Sequence, residues 1–179
     1  MALTSDNVRV SVTGAVSVAN TGTTAPTSAS VALAAGFVDL GYVSEDGVTE
    51  SRERSTNQIK AWQNAATVRE VITDASLRYT FTLIETTEAS LELYYGGTVD
   101  TTDGSIDINA AATGGRRSFV IDVVDGDQVI RTYIPEGEVT EVGEQVYQSG
   151  EPIGYEVTIT AYDVNGVAAT KFYSALDAA

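Results

Sequence analysis

The stretch "SLRYTFTLI", residues 76–84, sets Leu77, Tyr79, Phe81 and Leu83 alternately with Ser76, Arg78, Thr80 and Thr82. A period of two sends successive side chains to opposite faces, so this segment reads as a β-strand with one apolar face and one face of hydroxyls plus an arginine. The design recurs in "IGYEVTITA", residues 153–161, where Ile153, Tyr155, Val157, Ile159 and Ala161 face one way and Glu156, Thr158 and Thr160 the other. Strands of this kind face water on one side, which predicts a mainly β, antiparallel chain.

Working outward, "VRVSVTGAVSV" (8–18) places Val8, Val10, Val12, Val16 and Val18 at the same period, with a kink expected at Gly14. "RSFVIDVVDGDQVIRTYIP" (117–135) reads as a hairpin turning on Asp125-Gly126, a favoured type I′ pair. In that register Phe119, Ile121, Val123, Ile130 and Ile134 share a face, and Asp122 and Arg131 are diagonal neighbours on the other. A longer loop around the same pair would shift this pairing. "YDVNGVAATKFY" (162–173) offers a second hairpin through Asn165-Gly166, with Phe172 and Tyr173 anchoring the last strand. One helix is expected, over about 85–95: Glu85 and Glu88 flank a threonine N-cap, Leu91 and Tyr95 lie four apart beside Tyr94, and Gly96 supplies the stop. Residues 19–30 and 96–115, rich in Gly, Thr, Ser and Ala, read as loops or an arm with one weak strand at Ile106 and Ile108.

One segment fits neither period. "GFVDLGYVSEDGVTESRERST", residues 36–56, opens like a buried strand and turns into a run of charges, and only Val43 and Val48 are apolar between Tyr42 and Ile59. Burying it within its own domain would strand charges without solvent. It is therefore expected to serve a contact outside the domain.

Composition narrows the chemistry. At 179 residues the chain suits a single domain, 1–179. It holds no cysteine and no histidine, which removes disulfides, thiolate metal sites, the commonest general base and the commonest transition-metal ligand. No metal and no cofactor is expected. With 25 acidic against 10 basic residues the formal net charge is -15, unsuited to gripping nucleic acid through its phosphates. The acids concentrate after Arg131, while half of the basic residues sit at Arg52, Arg54, Lys60, Arg69 and Arg78. That asymmetry fits either a solvated acidic surface or a complementary self-interface. "MALTSDNVRV" lacks an apolar core of the signal-peptide kind, and the uncharged residues 10–38 are threaded with polar ones, so neither a secretory leader nor a membrane span is expected.

Catalytic motifs are scarce. "DTTDGSIDIN" (100–109) lacks the oxygen spacing of a calcium loop and reads as a turn. "GGRR" (114–117) precedes a strand, where the helix-based mode of holding phosphate is missing. A pair of carboxylates for hydrolysis cannot be picked out by spacing among so many acids. The lone tryptophan, Trp62, is read as a partly buried packing residue, with an interface anchor as the competing reading. Three function classes follow: a structural assembly protein, a β-sandwich binding module attached to a particle or recognising carbohydrate or capsid, and an acid-pair hydrolase.

Taken in order, "GFVDLGYVSEDGVTESRERSTNQIKAWQNAATVREVITDASLRYTFTLIETTEASLELYYG", "RRSFVIDVVDGDQVIRTYIPEGEVTE" and "GEPIGYEVTITAY", spanning about residues 36–162, resemble the major tail tube proteins of long-tailed, siphovirus-type bacteriophages, actinobacteriophages especially. The resemblance implies a tail-tube-type β-sandwich or barrel with a flanking helix. It implies no enzyme activity, and homohexameric rings stacked head-to-tail into a virion tail tube that conducts genomic DNA at ejection. It also implies synthesis in the host cytoplasm and partnership with tail-tip initiator, tape measure and tail terminator proteins, with DNA passing non-specifically and no membrane insertion. Residues 1–35 then become an N-terminal strand and flexible arm, and 42–66 a projecting loop or hairpin. Glu45, Asp46, Glu50, Arg52, Glu53, Arg54, Lys60 and Trp62 are the implied contacts between rings or subunits. In such a tube the polar strand faces look at water outside or in the channel, which makes Thr80, Thr82, Glu156, Thr158 and Thr160 the expected channel-facing residues. Asp122 is a weaker candidate because Arg131 lies near it.

Overall fold

The computed structural model describes residues 7–176. It is an antiparallel β-structure with one α-helix, in the order β1 (Thr13–Asn20), β2 (Val38–Asp39), β3 (Val43–Lys60), β4 (Thr67–Leu83), α1 (Glu88–Tyr95), β5 (Val99–Asp100), β6 (Ser105–Ile106), β7 (Arg117–Asp125), β8 (Gln128–Val142), β9 (Tyr155–Ala161) and β10 (Thr170–Tyr173). The main sheet runs β2-β1-β7-β8-β9-β4-β3, and β10 adds to β8. It wraps around one apolar cluster that takes Val16 and Val18 from β1, Phe119 and Ile121 from β7, and Ile134 from β8. Val157 and Ile159 of β9, Tyr79, Phe81 and Leu83 of β4, Leu40 and Leu93 complete its centre. The apolar faces read from 76–84 and 153–161 belong to two of the strands on which this core is built, paired as Tyr79↔Ile159 and Phe81↔Val157, except that Ile153 precedes β9 and is 38% exposed.

Strand β8 makes the sheet curl. Its first half pairs with β7 and β10, as in Ile130↔Val123 and Ile130↔Tyr173, and its second half pairs with β9, as in Val139↔Ile159. The change falls at a bulge between the pairs Phe119↔Ile134 and Arg117↔Gly137. Pro135, which has no N–H to offer a ladder, sits in this bulge, and the buried Ser118 hydroxyl donates to its carbonyl at 2.7 Å. Gly137 then passes so close to the core that a β-carbon there would meet Ile159 at 2.8 Å and the Phe119 ring at 2.9 Å.

The β7–β8 hairpin forms, and Phe119, Ile121, Val123, Ile130 and Ile134 do share a face. Its register differs from the sequence reading. Asp125 pairs with Gln128, so the loop is Gly126-Asp127, with the positive φ (58°) on Gly126 alone. This brings Asp122 directly opposite Arg131 instead of diagonal to it. Asn165 and Gly166 both take positive φ, as a I′ turn requires, and Val164 and Val167 bridge across them. The strands on either side do not pair with each other, however, since β9 joins β4 and β8 while β10 joins the other half of β8.

Two sequence signals are corrected at the edges. Val8, Val10 and Val12 carry the strand period, yet the strand begins at Thr13 and all three are exposed, at 70%, 62% and 71%. The charged segment, with no period, is a strand. β3 and β4 form a long hairpin in which 18 residues pair with 17, through bulges near Thr73 and Val68 and a wide one at residues 44–47. β4 accordingly begins nine residues before the "SLRYTFTLI" stretch. Helix α1 keeps its expected caps, with the Thr87 and Ser90 side chains exchanging bonds with each other's backbone and Gly96 in the left-handed conformation. The weak strand proves to be the small β5–β6 ladder, Val99↔Ile106, which excludes Ile108.

Candidate functional site

The chemistry-bearing residues of this chain lie on surfaces. The first surface is the outer part of the β3–β4 hairpin. Residues opposite each other in a ladder share a face, so Arg52 and Arg54, opposite Leu77 and Ala75, continue the core-facing side of the sheet out into solvent. Glu53, opposite Ser76, points to the other side with Asp74. Both faces are open water here: Arg52 through Lys60 are all exposed, as are Thr67 through Ala75. The polar side chains are held lightly, by Thr56 donating to Glu70 at 2.7 Å and Thr73 to the Ser55 carbonyl at 3.2 Å. Arg52, Arg54, Lys60 and Arg69 enter none of the four ion pairs among the described residues.

At the tip, Ala61 donates to the Ala66 carbonyl and Asn64 and Ala65 adopt positive φ. Trp62 stands on this turn 99% exposed, which overturns its reading as a packing residue within the chain. Ile59 and Val68 are exposed near the tip, and Ile72 farther down the ladder, opposite Thr56. Glu45 and Asp46 lie away from the tip, exposed in the wide bulge at the hairpin's base. Glu50 is engaged within the chain: it forms an ion pair with Lys171 and lies beside the buried Tyr79 hydroxyl. Burial, then the Glu50 charge, push that phenol's pKa well above its ordinary value, so Tyr79 stays neutral. Glu50 therefore joins β10 to the base of the hairpin, while Glu45, Asp46, Arg52, Glu53, Arg54, Lys60 and Trp62 are exposed to solvent.

The second surface is the polar face of β4, β9 and the end of β8. The ladder places Thr80 opposite Thr158, Thr82 opposite Glu156 and Arg78 opposite Thr160. Hydroxyls pair across it, Thr80 with Thr158 at 2.9 Å and Thr140 with Thr160 at 2.8 Å, and Arg78 reaches Glu141 at 3.2 Å. Thr158 is 9% exposed and largely used up in these contacts, whereas Glu156 is open and shares a recess with Thr82, Glu144 and Glu151. The structure thus brings together five of the six residues expected on one polar face.

Asp122, the sixth, stands apart from these five. It sits on β7, away from that face, and its carboxylate holds Arg131 at two points, Nε to Oδ1 and Nη2 to Oδ2, each 2.7 Å. The remaining guanidinium nitrogen, Nη1, donates to the carbonyls of Ser28 and Val31. Arg131 is 7% exposed, and Ala29, in the segment it fastens, is buried. Residues 19 and 20 of the stretch read as a loop end β1, and the segment that follows, through Val31, is a strap tied down by a buried arginine.

The acidic turns carry no such assembly. Hydrogen bonds from the Thr102 backbone N–H to Asp100, and from the Ser105 side chain and backbone N–H to Asp103, hold both carboxyls below their usual range. Among the described residues no group of three acidic side chains is placed to hold a metal ion, and no helix is long and apolar enough to cross a membrane. Arg116 pairs with Glu136 at 2.6 Å and lies 4.3 Å above the Tyr162 ring, a strand-entrance contact.

The fold is an antiparallel sheet closed over one apolar cluster, with a long charged hairpin that stands out from it. The chain belongs to the phage tail tube protein family, whose model matches residues 1–177. Among curated protein sequences nothing matches. Two solved structures resemble it in outline: a chain of the virion of a native gene transfer agent particle, at 9% identity with 79% of this chain and 92% of that one covered (TM-score 0.41), and one from the tube-terminating cap of an anti-feeding prophage, at 12% identity with 96% and 98% covered (TM-score 0.46). At those scores the likenesses carry no argument. The family makes this a structural protein of the phage tail, a virion component.

Proposed function

We propose that this chain is the major subunit of a tail tube, in which six copies form a ring and rings stack head-to-tail into a hollow conduit for double-stranded DNA. The observation that carries the reading is the hairpin: a long ladder whose outer part is exposed on both faces, with four basic side chains in no ion pair among the described residues and a bare tryptophan, in a chain that is otherwise strongly acidic. An isolated two-stranded ribbon is marginal in water, so such a projection gains its stability from a partner surface. Assembly begins from a tail-tip initiator and is bounded by tape measure and terminator proteins, after synthesis in the host cytoplasm. Negative-stain electron microscopy of the concentrated protein with its initiator should show hollow tubes. Protein that stays monomeric there, and is absent from purified tails, would overturn the reading.

Reversing Arg52 and Arg54 together to glutamate should leave the melting temperature within a few degrees, since surface changes are usually within about 0.5 kcal/mol, while cutting tube yield severalfold. Wild-type yield would remove the hairpin arginines from the interface.

The channel is assigned to the polar face of β4 and β9, with Thr80, Thr82, Glu156 and Thr160 toward the DNA. Four strands from each of six subunits, about 4.8 Å apart and tilted near 40°, close a barrel of roughly 50 Å backbone diameter. That leaves room for a duplex and water after side chains are added. Glu156, with Glu144 and Glu151 beside it, keeps the wall negative so that phosphates slide past. Glu156→Lys places a cation on every subunit. Tubes should form normally, DNA ejection should slow severalfold at low salt, and the difference should vanish as salt rises. Equal ejection rates at every salt concentration would show that this face is not the wall.

A further inference from the structure

A broad recess lies at the opposite end of the hairpin from its tip. It is a groove of 760 Å³ walled by β1, β2 and the start of α1. Asp39 and Gly41, which line it, immediately precede β3, and Glu85, Thr87 and Glu88 immediately follow β4. We propose that the tip of the β3–β4 hairpin of one copy docks into this groove on a second copy, Trp62 against its apolar wall and Lys60 and Arg69 against its carboxylates. This rests on the head-to-tail assembly proposed above and names its receiving surface.

Geometry requires a second copy. Strand β4 has 17 residues, and at about 3.3 Å per residue its ends stand roughly 50 Å apart. A tip that far from the groove cannot fold back into it along a straight ladder. A projection at one end and a recess at the other make a heterologous contact, and repeated contacts of that kind along one axis generate an open filament.

Charge selects the groove as the partner. The hairpin from 52 to 70 carries Arg52, Arg54, Lys60 and Arg69 against Glu53 and Glu70, a basic patch on a chain of net charge -15. The groove presents Asp39, Glu85, Glu88 and Glu92 against Arg117. Backbone groups hold three of those carboxylates in place: Gly41 donates to Asp39 at 2.8 Å, Tyr42 to Glu85 at 3.0 Å and Val99 to Glu92 at 3.2 Å. None of the four is in an ion pair among the described residues. The half-charge of the α1 N-terminus and the Arg117 cation do not outweigh four carboxylates. An acidic groove with fixed carboxylates selects a basic insert and repels the rest of an acidic surface.

The apolar component matches as well. Val38, half exposed, and the partly exposed Ala89 supply the apolar surface of the groove, with the buried Val18 and Ala19 behind them. An indole seated on Val38 and Ala89 would remove its own exposed ring from water while its N–H remains free to meet a carboxylate.

The chain has no cysteine, so placed thiols report without background. Trp62→Cys protein and Glu88→Cys protein, each doped at low fraction into wild-type chains so that assembly is carried by the wild type, should give a covalent dimer of the two variants when treated with a short bis-maleimide. Neither variant doped alone should. Asp39→Cys, on the opposite wall, should substitute for Glu88→Cys. In parallel, Lys60→Glu and Glu88→Lys should each lower tube yield by about tenfold, and the two reversals combined should restore most of it. Tubes that form without cross-linking at either groove position, or reversals that do not compensate, would overturn the docking and leave the tube reading standing. Wild-type chains that form no tubes would overturn both.

Discussion

Replacing Asp122 with alanine should lower the unfolding free energy by about 3–5 kcal/mol, because it leaves the Arg131 guanidinium enclosed without its counter-charge. The pair is bidentate at 2.7 Å on both arms, and Arg131 is almost wholly removed from water. Its other donor ties the Ser28 and Val31 carbonyls, so the strap should loosen with it, and thermolysin should cut near Val31 and Leu33 faster than in wild type. The double variant with Asp122→Ala and Arg131→Met should recover much of the loss, since a buried ion pair replaced by apolar side chains is often neutral. Urea denaturation of the three proteins measures both effects. A loss below about 1 kcal/mol in the single variant would mean that water reaches the guanidinium and that the strap is held by something else.

This clamp illustrates what local pattern can and cannot carry. The sequence places Asp122 and Arg131 on two strands of one hairpin, close enough to suggest neutralisation. It does not contain the other half of the contact, because the Ser28 and Val31 carbonyls lie about a hundred residues away and a backbone carbonyl leaves no residue-type signal. The one-residue difference in the turn had a visible physical source. Both Asp125-Gly126 and Gly126-Asp127 put a glycine at a loop position that accepts positive φ, and the pairing of Asp125 with Gln128 is decided by the strands.

The edges of the sheet show the opposite failures of the period-two signal. Alternation reports a face that is buried. At Val8, Val10 and Val12 the residue pattern is present and the core is not, so the period predicts a strand where the chain is exposed. From 49 to 60 neither face is buried, and β-structure is held by the ladder to β4, which the side chains do not announce. The charged run was correctly legible as unsuited to a core, and its use as a contact surface is a reading that its exposed arginines and Trp62 support. Glu50 could not be separated from its neighbours by sequence, because its partner Lys171 comes from the last strand.

The corner in β8 is the second place where a large effect is expected. Phe119→Ala should cost about 3–5 kcal/mol, the usual range for emptying a buried aromatic site. The ring is 1% exposed and lies against the backbone at Gly137, where β8 leaves β7 for β9. Gly137→Ala should itself cost about 1–3 kcal/mol, since the new methyl would sit 2.8 Å from Ile159 and 2.9 Å from the Phe119 ring, and neither can retreat within a packed core. The two changes should then fail to add. With the ring gone, the methyl at 137 moves into space that Phe119 vacated and restores part of the lost packing, so the double variant should be no less stable than Phe119→Ala alone, a coupling of about 1–3 kcal/mol. Denaturant midpoints of the four proteins close this cycle. Strict additivity would mean that β8 shifts away from the core at Gly137 without cost, and that the corner is set by the Pro135 bulge and its bond to Ser118 instead of by the contact between glycine and ring.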